Sequence, residues 1–99
     1  AASDVYKRQV LEEYEQYLSE FVYDKIWSEL SQKDRIVARG IAETESGKIK
    51  EIREHLGMET NEFNPYRKRL MKKGIVSGET RGYVFFTLPL FERYVIDNS

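Results

Sequence analysis

The chain has 99 residues, 40% hydrophobic and 33% charged, with a formal net charge of −1, which fits one soluble globular domain and excludes two independent ones. It contains no cysteine, so disulfides and thiolate zinc sites are impossible and a reducing, cytoplasmic setting is expected. No apolar run approaches the roughly 20 residues that span a bilayer, and no signal-peptide pattern opens the chain.

Residues 1–9 show no periodicity and are expected to be linker or disordered. Residues 10–30 read as a helix, with Val10, Tyr14, Tyr17 and Phe21 at helical spacing and Leu11, Leu18 and Val22 widening the stripe. So dense an aromatic face is expected to dock on the rest of the domain, or else to form a partner surface together with Trp27. Ser31 is a good N-cap, and Asp34 three residues on suits a capping-box start. The helix that follows should turn Ile36, Val37 and Ile41 inward, with Gly40 allowing another chain segment to come close. Residues 43–47, ETESG, form a polar turn.

Lys48–Leu56 is a short helix with Ile49, Ile52 and Leu56 on one face, a Lys50–Glu54 pair on the other and Gly57 as its C-cap. A further helix runs from about Asn61 to Lys73, with Pro65 near its first turns and Gly74 closing it. The period then switches to two. Ile75–Ser77 and Tyr83–Leu88 read as strands joined by a turn over Gly78–Gly82. Pro89 opens a last short helix with Leu90, Phe91, Tyr94 and Val95 inward. Two short helices on a tight turn followed by a hairpin predict an α+β, mainly helical fold. Specifically, they predict a winged helix-turn-helix over 31–97, with an N-terminal docking helix (10–30) and a short C-terminal helix.

The residues offer no catalytic or metal chemistry. There is no phosphate-binding loop of the GxxxxGK[ST] type. The lone histidine, His55, stands near a helix C-terminus with Glu51 one turn back, and no second His or Cys makes it a metal site. No catalytic residue, metal or cofactor is expected in this chain.

Charge is more informative than the net value suggests. Residues 1–30 hold three bases (Lys7, Arg8, Lys25) against seven acids, a net of −4, which leaves +3 for residues 31–99. Between 64 and 83 six bases, Arg67, Lys68, Arg69, Lys72, Lys73 and Arg81, face one acid, Glu79. At about 100° per residue, Phe63, Tyr66 and Leu70 share one sector of the helix and must face the core. Arg67 falls on the buried side, where it should pin a carboxylate or carbonyl. The outward ridge is then Asn61, Lys68, Arg69 and Lys72, with Arg81 added at the hairpin tip. Such a ridge suits contacts to about four phosphates. Glu59 and Glu62 at the N-terminal end oppose sequence-specific reading of the major groove.

The stretches LSQKDRIVARGIAE, GKIKEIREHLGM, NPYRKRLMKKGIV and RGYVFFTLPLFERYV, in that order, resemble the C-terminal winged-helix domain of archaeal-type AAA+ ATPases, also found in bacteria. The resemblance covers about residues 25–97. It implies an upstream nucleotide-binding module, whose ATP-binding motifs have no counterpart in this chain. Two functions are open. One is a non-catalytic module that binds double-stranded DNA through Asn61, Lys68, Arg69, Lys72 and Arg81, largely by its backbone. The other is a protein-interaction module that docks on the ATPase body or a partner protein through Tyr14, Tyr17, Phe21 and Trp27.

Overall fold

The computed structural model describes residues 12–14 and 16–98, without the side chains of Ser19 and Glu20; the expected linker over 1–9, and with it Val10 and Leu11, lies outside the described residues. Residues 12–14 and 16–17 are helical and lead into a π-helical segment, Leu18–Tyr23, which continues as α1 (Asp24–Glu29). Of the face expected to turn inward, Leu18 and Val22 do so and the aromatic residues do not. Tyr14, Tyr17 and Phe21 are exposed, whereas Leu18, Tyr23 and Leu30 are buried and Val22, Ile26 and Trp27 pack against them. The segment carries two apolar rows. The wide turn lets Leu18 and Tyr23, five residues apart, share the buried face, so that row takes the core and leaves the aromatic row outside.

Helix α2 (Gln32–Glu43) begins as expected. Ser31 Oγ accepts from the Asp34 amide at 3.1 Å, and Asp34 Oδ2 accepts from the Ser31 amide at 3.3 Å. Val37, Ala38, Ile41 and Ala42 are buried, but Ile36 is 45% exposed, because it stands about 200° round the helix from Asp34. Gly40 is where α3 (Ile49–Leu56) approaches: a Cβ there would stand 2.5 Å from the Leu56 side chain. Gly57 caps α3 in the left-handed region at φ 67°. Lys50 and Glu54 are exposed and form no ion pair with each other. His55 Nε2 instead lies 3.3 Å from Glu43 Oε2, which belongs to α2, and Glu51 accepts a hydrogen bond from Ser46.

Helix α4 (Thr60–Lys72) buries Phe63 and Leu70. Each contributes roughly 1.5–3 kcal/mol by leaving water. Strands β1 (Val76–Ser77) and β2 (Phe85–Phe86) pair antiparallel, Val76 with Phe86 and Ser77 with Phe85. They are shorter than expected, although the Thr87 amide still reaches the Ile75 carbonyl at 2.9 Å. The far edge of the second arm is covered too. Lys48 bridges Tyr83, the Val84 amide donates to the Gly47 carbonyl at 2.8 Å, and the Ile49 amide donates to the Gly82 carbonyl at 3.0 Å. Three chain segments thus run side by side.

Helix α5 (Phe91–Asp97) buries Phe91, Tyr94 and Val95. Leu90 was expected inside with them, but it is 42% exposed and sits at φ 63°. Pro89 does not open the helix. It lies in the turn before it, and Leu90 takes a left-handed conformation that directs its side chain away from the core.

α2 lies at the centre, touching α3, α4 and α5. α1 and its π-helical lead are held to α5 by an aromatic cluster: Tyr23 meets Phe91 edge-on at 4.9 Å, and Tyr94 stacks on Phe91 at 5.8 Å. The Tyr23 hydroxyl donates to the Pro89 carbonyl and the Tyr94 hydroxyl donates to Asp24. Burial raises both phenols above the ordinary tyrosine range, helped at Tyr23 by nearby Tyr14 and at Tyr94 by the Asp24 hydrogen bond. Because the folded values lie above the unfolded value of about 10, the stability these groups supply is fully present below that pH. It is lost as pH rises through the folded values. Urea midpoints should be flat between about pH 8 and 9.5 and fall above about pH 10. Tyr94→Phe should flatten that fall, as measured by denaturation against pH alongside tyrosinate absorbance.

Candidate nucleic-acid interface

Helix α4 presents three rows. Phe63 and Leu70 are buried and Tyr66 is partly so. About 60–100° on, Arg67 and Met71 face the hairpin: a Cβ at Gly78 would meet Arg67 Nη2 at 2.5 Å and Met71 Cε at 3.1 Å. On the other side, Arg69 turns back to α2, and its Nη2 lies 2.9 Å from Asp34 Oδ2. Between these two packed rows stands an exposed ridge of Asn61, Lys68 and Lys72. Arg81 is exposed in the turn of the hairpin, and Lys73, which caps α4, is exposed as well.

Two of the arginines therefore have structural environments. Arg69 was expected on the free ridge, and its head is partly exposed, but its partner is a carboxylate with no solvent access at all. Asp34 caps α2 through one oxygen, pairs with the Arg69 guanidinium at the same oxygen, and has no hydrogen-bond partner on the other, Oδ1. A buried carboxylate of this kind depends on its cation. The sequence showed Asp34 only as a cap, and nothing in its spacing from residue 69 marks the pair. Arg67 departs from expectation differently. Among the described residues it pins no carboxylate or carbonyl; its Nε is buried and makes no hydrogen bond, with the side chain wedged against Gly78.

The acids at the start of α4 have a local cause. Glu59 is the N-cap, and the Glu59 amide donates to Glu62 Oε1 at 3.3 Å, completing a capping box. Glu59 also lies 3.9 Å from Arg53 of α3. These carboxylates stabilise the positive end of the helix dipole. They also put negative charge at the N-terminal end of the helix that carries the ridge. Pro65 sits inside α4 and supplies no amide to the Asn61 carbonyl.

The aromatic candidates divide. Tyr14, Tyr17 and Phe21 are exposed, and the rings of Tyr17 and Phe21 stand 5.5 Å apart. Trp27 is half-buried: its ring meets Tyr94 edge-on at 6.2 Å, Arg35 lies 5.5 Å over it, and its carbonyl accepts from Arg35 Nε at 3.0 Å. Trp27 belongs to the packing of α1 on α5, so its loss would loosen the domain whatever else it touches. Among the described residues, no helix is long and apolar enough to cross a membrane, and no three His, Asp or Glu side chains are grouped to hold a metal ion.

A family model, described as a domain of unknown function (DUF8462), matches residues 20–95, and the chain belongs to that family. No curated protein and no solved structure matches it.

Proposed function

We propose that this DUF8462 domain is a non-catalytic winged-helix module that lies along the phosphate backbone of double-stranded DNA through Lys68, Lys72 and Arg81, with Asn61 at the head of the same ridge. The order α2, bridging residue, α3, α4, hairpin, with the segment before α3 pairing onto the hairpin's second arm, supports the winged-helix reading. The resemblance to the terminal domain of AAA+ ATPases supports a role as one module of a larger ATPase, with nucleotide chemistry supplied by other residues. The observation that carries the DNA reading is the ridge itself: Lys68 and Lys72 stand exposed between the row packed on the hairpin and the row tied to α2, while Glu59 and Glu62 are engaged in the cap.

Because Arg69 is engaged with Asp34, about three phosphates are covered rather than four. Anisotropy of a labelled random-sequence duplex should therefore show binding whose logarithm falls with log salt at a slope of about −3. Lys72→Glu should weaken every duplex alike, roughly 5–10-fold at low salt, and make the slope shallower by about one. A duplex that stays unbound at low salt removes this function.

A second reading, docking on the ATPase body or a partner protein, is favoured by one observation: Phe21 is 68% exposed beside exposed Tyr17 and Tyr14. Aromatic side chains so placed are typical anchors of protein interfaces.

A further inference from the structure

At helical spacing Tyr14 and Tyr17 fall about 60° apart, and the Tyr17 and Phe21 rings stand 5.5 Å from one another. The opposite side of the same helix is accounted for. Glu12 and Gln16 line one wall of a cleft of about 340 Å³ whose other wall includes Arg93 and Asp97 of α5 and Asn98, which caps it. The aromatic row thus points away from the body of the domain. Exposure of 47% at Tyr14, 55% at Tyr17 and 68% at Phe21 leaves on the order of 300–400 Å² of aromatic surface in water, near the largest patch a monomer usually shows.

The charge of the segment that carries this row selects its occupant. From residue 12 to residue 24 the sequence has five acids and no Lys or Arg; Glu12 lines the cleft and Asp24 accepts from Tyr94, while Glu13 is exposed. Two copies of such a helix laid side by side would bring acids against acids, which disfavours self-pairing. An anionic membrane surface would repel it for the same reason. A partner with apolar anchors flanked by bases would bury the rings and neutralise the rim together.

We infer that the Tyr14–Tyr17–Phe21 face is a docking site for a basic amphipathic helix of a partner protein. This rests on the second reading above and names the chemistry of its partner. The anchors are the rings of Tyr17 and Phe21, which enter between the partner's apolar side chains. The acids set orientation and speed of encounter, as rim charges do.

The test uses the whole chain and three labelled probes: an 18-residue Leu/Lys amphipathic peptide, its Leu/Glu counterpart, and an oligolysine of equal charge. The Leu/Lys peptide should bind at least about tenfold more tightly than either of the others. Tyr17→Ser/Phe21→Ser should weaken it at least about tenfold with an unchanged urea midpoint, since both side chains are exposed. Glu13→Lys should weaken it several-fold and reduce its salt dependence. Equal binding of oligolysine, or no effect of the double variant, overturns the proposed site. Preference for the Leu/Glu peptide overturns the partner's charge and leaves the docking reading standing. If none of the probes binds, or if sedimentation shows the chain pairing with itself through these residues, both fall.

Discussion

Arg69→Ala is expected to lower the free energy of unfolding by about 2 kcal/mol while changing non-specific DNA affinity less than twofold. Asp34 has no solvent access and Arg69 is its cation, at 2.9 Å. Removing one member of a buried pair leaves an uncompensated charge and typically costs 3–5 kcal/mol. Here the arginine head is 53% exposed, so water can enter where it stood, and the expected cost is correspondingly smaller. The double variant Asp34→Ala/Arg69→Ala should recover much of the loss, keeping only the missing cap, worth about 1 kcal/mol. Urea denaturation of the four proteins gives the coupling. If Arg69→Ala instead keeps full stability and loses DNA, Arg69 is a phosphate ligand and the Asp34 contact is incidental.

Phe91→Ala should have the largest effect of any single truncation considered, about 3–5 kcal/mol. Its ring has no exposure and lies against Tyr23, Phe86 and Tyr94. It joins three parts of the molecule: the π-helical lead into α1, the second hairpin arm and α5. For a domain of this size, with total stability of about 5–15 kcal/mol, that loss is close to unfolding. The expected order of failure is specific. Amides of Tyr94 and Asn98 should lose exchange protection before those of Val37 and Ile41 in α2, because α2 is also held by α3 and α4. Hydrogen exchange at moderate urea measures this. Uniform loss across all helices would show instead that α5 belongs to the same cooperative unit as the rest.

Much of the scaffold could be read from local rules. Ser31 with Asp34, Gly57, and the change of period after Gly74 all depend on neighbours within a turn or two, where the sequence speaks directly. The outward ridge of α4 was legible for the same reason, since Phe63 and Leu70 fix its phase. What sequence could not supply were choices decided at long range. The N-terminal helix has two apolar rows, and only the fit of Leu18 and Tyr23 against α5 decides which is buried. Leu90 was assigned inward by periodicity, which presumes a helix already under way; the left-handed residue before α5 breaks that premise. Arg69 looked free because its partner is 35 positions away in the chain.

The wide turn over Leu18–Tyr23 has a consequence of phase. A π-helical turn contains roughly one residue more than an α-helical turn, so it acts as a single-residue insertion between two otherwise ordinary stretches. Removing one residue there would let the backbone close as an α-helix. Everything upstream would then rotate by about 100° about the axis, with a shift of about 1.5 Å along it. Tyr14 and Tyr17 would swing toward a different side of the molecule without any change in their identity. The direction in which these rings look is therefore set by the number of residues between Leu18 and Tyr23, and a shortened relative would display the same aromatic side chains to a different neighbour.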